Sequence, residues 1–203
     1  MSERSDFYQT LSAPANGIFR DRGSKFLSFV FPVTNETEIR EHLVRIKKEH
    51  YSARHHCYAW RMGVENIRFR ANDDGEPSST AGKPILGQLT SHELTNALCV
   101  VVRYFGGTLL GVSGLINAYR MAALDAISNA SIETRPIERR LVVLFAYPIL
   151  NSVMQLIKSE NLNPTDIRME ETVEIHLPVL ISEADRIETL FSNIYGVTLK
   201  RLD

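Results

Sequence analysis

Residues 97–102 are all apolar and half of them are β-branched, the pattern of a strand buried on both faces. The run leaves through Arg103-Tyr104-Phe105 into a stretch with four glycines in nine positions, Gly106, Gly107, Gly111 and Gly114. Glycine at that density costs chain entropy and points to positive φ or to close backbone approach. After Gly114 the spacing turns helical, with Leu115, Tyr119, Ala122 and Ala126 on one face. Strand, glycine loop and helix in that order present unpaired N–H groups that suit a phosphate or carboxylate. The same order also serves a tight turn with close helix–sheet packing.

Upstream, residues 18–20 and 25–33 flank the turn Asp21-Arg22-Gly23-Ser24 and predict a hairpin, with Lys25 just past the turn. Asn35 with Glu38 opens a capped helix whose apolar face is Ile39, Leu43 and Ile46 and whose other face is charged. Residues 54–62 read as a strand paired with a shorter one near 67–70. Period two places Arg54, His56, Tyr58 and Trp60 on one side, cations interleaved with aromatics as in surfaces that stack unpaired RNA bases. The competing reading packs Tyr58 and Trp60 under a helix. Adjacent His55 and His56 face opposite ways and do not make a metal pair.

The loop 72–84 is rich in turn formers, and a short helix carrying Ile85, Leu86 and Leu89 follows it. It holds the carboxylates Asp73, Asp74 and Glu76, the hydroxyls Ser78, Ser79 and Thr80, and Lys83. Oxygen ligands at this density suit Mg²⁺, and hydroxyls beside a lysine suit a phosphate. The structural alternative is a loop whose carboxylates take up its own N–H groups.

Beyond a polar linker at 131–136 the pattern becomes strand (140–147), helix after Pro148, strand (165–169), strand (173–177), helix capped by Ser182 and Asp185, and strand (197–202). That is the βαββαβ order of a ferredoxin-like domain. The expected class is therefore α+β in two domains, 1–134 and 135–203.

Composition narrows the function. With 44% hydrophobic and 23% charged residues and a formal net charge of −1, the 203-residue chain is ordinary for a globular protein and too neutral for a generic duplex-DNA binder. Any nucleic-acid contact needs a local basic patch. Cys57 and Cys99 form no metal or disulfide pattern and read as buried thiols in a reducing compartment. Neither a signal peptide nor an apolar run near the roughly 20 residues of a membrane span is present, so a cytoplasmic protein with no membrane partner is expected.

Taken together, Asp73-Asp74-Gly75-Glu76-Pro77-Ser78-Ser79-Thr80-Ala81-Gly82-Lys83-Pro84-Ile85 and Val102-Arg103-Tyr104-Phe105-Gly106-Gly107, with Leu110-Gly111 and Gly114-Leu115, closely resemble the Impact/YigZ family. Gly23-Ser24-Lys25-Phe26, His55, Cys57-Tyr58-Ala59 and Ala118-Tyr119 extend the likeness. Asn117, where a basic residue is more usual, and His56, where Asn is commoner, depart from it. The resemblance implies an N-terminal domain similar to domain two of ribosomal small-subunit protein five and to domain four of elongation factor G. It implies a C-terminal domain similar to domain five of the latter. It also implies a translation-associated regulatory factor that binds RNA, the ribosome or a translation-factor partner. The alternatives are an Mg²⁺-dependent phosphotransfer or hydrolase enzyme, with His55 the best candidate base, and a docking protein without catalysis. In the first two readings Lys25, Lys83, Arg103, Gly106, Gly107, Gly111, Gly114, Ser78, Ser79 and Thr80 meet phosphate. The expectation common to both is that the acidic loop and the glycine loop meet in space.

Overall fold

A computed structural model describes residues 5–202. Tyr8–Arg135 form one compact unit; the other holds the chain from Pro136 onward and the described residues up to Phe7. The first unit runs β1 (Phe7–Leu11), β2 (Ala15–Asp21), β3 (Ser24–Pro32), α1 (Glu36–Glu49), β4 (His55–Met62) and β5 (Arg68–Asn72). It continues with α2 (Gly82–Ser91), β6 (Ala97–Tyr104), α3 (Gly111–Ser128) and β7 (Ile132–Pro136). Five strands form one sheet in the order β2-β3-β6-β4-β5, each neighbouring pair antiparallel.

The central strand β6 is buried along almost its whole length because both sheet faces are covered. Phe26, Val30, Cys57, Ala59 and Val101 face α2 and α3, while Phe31, Trp60, Met62, Val100 and Val102 join α1 residues Ile39 and Ile46. Period two in β3 and β4 thus divides large side chains between two apolar layers. On α3 the core face is mostly alanine, which lets β2 approach closely. A Cβ on Gly17 would lie 2.4 Å from the Ala126 nitrogen. Beneath this helix Ser28 Oγ is buried and makes no hydrogen bond. A buried hydroxyl without a partner is destabilising, so Ser28→Ala is expected to raise stability by about 1 kcal/mol in urea unfolding.

Three local expectations are corrected. The polar stretch before Pro136 is not a linker: it is β7, which pairs with β1 in a separate two-stranded sheet. Both strands are short and half-exposed, and their pairing joins residues over a hundred positions apart, which no local pattern reveals. Next, α2 begins at Gly82 with Pro84 in its first turn, where proline lacks no bond. Finally, Ser182 does not cap the last helix. Its Oγ and N–H both donate to the Asp6 carboxylate, at 2.7 and 2.9 Å. The capping of α1 stands, since Glu38 N–H donates to Asn35 Oδ1 at 3.0 Å.

The second unit runs β8 (Glu138–Phe145), a 3₁₀ turn, α4 (Leu150–Ser159), β9 (Asp166–Met169), β10 (Val173–Leu180), α5 (Ala184–Ser192) and β11 (Thr198–Leu202). Its sheet order, β11-β8-β10-β9, is that of a split βαββαβ unit. Leu141, Val143, Phe145, Ile175 and Leu177 alternate onto one face and pack on Val153, Ile157, Ile187 and Phe191. No helix among the described residues is long and apolar enough to cross a membrane.

Candidate functional site

Antiparallel register brings several separate segments of the first unit to one end of its sheet. Lys25 lies opposite Tyr104, His55 opposite Arg103, and Asn72 opposite Tyr58. The β2–β3 turn, the start of β4, the β5–α2 loop and the β6–α3 loop therefore share that end. The last turn of α1 reaches it too, since Lys47 Nζ is 3.4 Å from Asp74 Oδ1.

Arg103, near the end of β6, ties the acidic loop to this end of the sheet. Its Nη1 donates to Glu76 Oε1 at 2.7 Å, and the Tyr119 hydroxyl from α3 donates to the same oxygen at 2.8 Å. The guanidinium carbon lies 5.5 Å from the Phe26 ring centre and 5.6 Å from that of Phe105, within cation–π range. Glu76 and Arg103 are both buried. His55 Nδ1 is 2.9 Å from the Asp74 carbonyl, which only accepts, so Nδ1 carries the proton. Nε2 lies 4.0 Å from Glu76 Oε1. Burial raises the Cys57 thiol and the Tyr119 hydroxyl far above their ordinary values and pushes Cys99 up to about 12, so neither thiol is a ready nucleophile.

The expected Mg²⁺ set does not assemble, because each carboxylate has separate duties. Asp73 closes the start of α2: Oδ1 accepts from Ala81 N–H and Gly82 N–H at 3.0 and 2.8 Å, and Oδ2 from Ser79 N–H at 2.9 Å. Asp74 accepts the His56 N–H at 2.7 Å, and Glu76 holds Arg103. Among the described residues no group of three His, Cys, Asp or Glu is placed to hold a metal ion. The loop is the self-capped alternative.

The stacking face is corrected as well. His56 and Trp60 are buried, Tyr58 is half-buried against the α1 layer, and Arg54 alone is exposed. Burial also lowers the pKa of His56 and favours its neutral form. The alternation itself holds, but α1 lies over that side of the sheet.

Among the proposed phosphate-binding residues, Arg103 is an internal strut and Thr80 is buried, its hydroxyl donating to the Pro77 carbonyl at 2.6 Å. Ser78, Ser79 and Lys83 are exposed, and Lys25 is half-buried with Nζ 6.0 Å from the Tyr104 ring centre. Gly106 donates its N–H to Ser24 Oγ at 3.1 Å and touches the backbone of the β2–β3 turn. Gly107 and Gly111 adopt positive φ, at 87° and 70°, and Gly114 lies within the first turn of α3. That turn has no acidic residue and no side-chain cap.

Sequence reading missed the cations that topology gathers here. Arg20, Arg22, Lys48, Arg54 and Lys83 are all exposed and make no ion pair among the described residues. Of the acids at this end, Asp73, Asp74 and Glu76 are held internally, Glu49 lies 3.9 Å from Arg45, and Asp21 stands between Arg20 and Arg22. The unit as a whole carries 15 Lys and Arg against 12 Asp and Glu. The nearly neutral whole-chain charge hid this local excess.

A family model, the Impact N-terminal domain, matches residues 22–127. The Bacillus subtilis IMPACT family member YvyE is 34% identical over 151 residues, spanning 74% of this chain and 70% of that protein. The Escherichia coli IMPACT family member YigZ is 37% identical over 126 residues, spanning 61% and 62%. A crystal structure described as that of a hypothetical protein superposes over 98% of both chains with a TM-score of 0.67 at 23% identity, a likeness of fold.

Proposed function

This chain belongs to the Impact family, and from that premise we propose a translation-associated regulatory factor that docks on structured RNA, of the ribosome or another kind. The observation that carries the RNA part is the basic end of the first unit. Five exposed cations from four separate segments converge there, beside an uncapped helix N-terminus, while the neighbouring loop carboxylates are held internally. Such an end neutralises backbone phosphate without requiring a basic protein overall. The translational part comes from the family. The likeness of the two units to domains four and five of elongation factor G belongs to this reading.

The test is co-sedimentation of the full chain with ribosomes and with protein-free ribosomal RNA across a salt series. Replacing Arg20, Arg22, Arg54 and Lys83 by glutamine is expected to weaken retention. The slope of log affinity against log salt should flatten by roughly 0.7–0.9 for each phosphate that is no longer neutralised. Retention and slope equal to those of the unaltered chain would overturn the proposal. These four side chains are exposed, so folding is not at stake. Arg103 is unsuited to this test because its loss disturbs the fold.

A further inference from the structure

Next to the basic end lies a surface that the docking proposal does not use. Phe105 is 46% exposed, Leu109 81%, Val112 61% and Ile116 38%. Val112 and Ile116 recur at helical spacing on the outward side of the first turns of α3, and Leu109 lies in the loop just before them. The opposite side of α3, with Leu115, Ala118 and Tyr119, is in the core. Single exposed apolar residues are ordinary, but four within twelve positions of one loop and the helix turns that follow it mark a contact surface.

We propose that this strip receives an unpaired nucleotide of the RNA, its base against the open side of the Phe105 ring and its sugar and neighbours against Leu109 and Val112. The inference rests on the RNA reading above and names which part of an RNA is held. Charge complementarity selects this occupant. From Tyr104 to Tyr119 the chain carries no charged side chain, so nothing on the strip repels an anion. The β2–β3 turn with Arg22, just past Arg20 and Asp21, abuts Gly106 next to Phe105: a Cβ on Gly106 would fall 1.9 Å from the Gly23 carbonyl carbon. A partner suited to both surfaces carries negative charge and flat apolar faces together. Unpaired nucleotides do, whereas a duplex keeps its base faces inside. The ring is already supported from beneath by the Arg103 guanidinium, so little side-chain freedom is lost on stacking.

The experiment is fluorescence anisotropy of the full chain with a labelled oligouridylate and with an RNA duplex of equal length. Phe105→Ala is expected to weaken single-strand binding about tenfold, in line with the loss of one stacked base, while duplex binding and the salt slope stay unchanged. The Leu109→Ser, Val112→Ser pair should weaken it several-fold, and these exposed positions keep the fold intact. Equal losses on both RNAs, or no loss on either, would overturn the inference while leaving the docking proposal standing. Binding of neither RNA by the unaltered chain would overturn both. If the unaltered chain self-associates in light scattering and the serine pair abolishes this, the strip is an interface between copies and the inference falls.

Discussion

Glu76→Ala is expected to lower the unfolding midpoint of the first unit by about 10 °C in a thermal scan. The change removes the partner of a buried guanidinium, and breaking a buried pair from one side costs about 3–5 kcal/mol. The Glu76 side chain is 3% exposed and that of Arg103 8%, so water does not replace the missing carboxylate. Tyr119 loses the acceptor of its hydroxyl in the same step. Arg103→Met alone should cost less, because Glu76 keeps Tyr119. The double variant Glu76→Leu, Arg103→Met should recover part of the loss, since apolar residues in place of a buried ion pair leave no charge uncompensated. Additive losses in the double variant would show that the pair does not couple the acidic loop to β6. In chemical terms, Arg103 and Glu76 form a buried structural pair that ties the acidic loop to the end of β6.

The second large effect is expected at Gly106. A Cβ there would lie 1.9 Å from the Gly23 carbonyl carbon and 2.2 Å from the Ser24 nitrogen, both backbone atoms that cannot swing away. Gly106→Ala must therefore push the glycine loop off the β2–β3 turn, breaking the Gly106 N–H bond to Ser24 Oγ. A destabilisation of about 3 kcal/mol is expected in urea unfolding, at the upper end for overpacking. Gly107→Ala provides the contrast: no atom lies within 4 Å of its Cβ, and its cost comes only from a φ of 87°. That substitution should cost about 1 kcal/mol. Equal costs at the two positions would mean that the turn and the loop do not touch. Because Arg22 sits on this turn, Arg20 just before it and Phe105 at the start of this loop, Gly106→Ala should also weaken RNA retention.

Much of the architecture was legible without coordinates. The β6 run, the hairpin, the capped α1 and the βαββαβ order of the second unit each rest on periodicity or caps, which are properties of neighbouring residues. The motifs around Glu76 and Arg103 carried the family resemblance, and the matched family model supports it. Individual roles were less legible. Asp73, Asp74 and Glu76 read as a ligand set because they are close in sequence, yet the backbone turns between them. Positive φ at Asp74, 42°, and at Gly75, 88°, sends each carboxylate elsewhere.

By itself, then, the amino-acid order determined most of the strands and helices, β1 and β7 excepted, which of their sides are apolar, and to which family the chain belongs. Those follow from side-chain chemistry and spacing within a few residues. Tertiary structure alone decided that α1 covers the aromatic–basic side of β4, that β7 pairs with β1, and that Arg20, Arg22, Lys48, Arg54 and Lys83 share one end of a sheet. Each of these is set by the register of strands distant along the chain. Convergence is a property of the folded backbone, and no local run of residues encodes it.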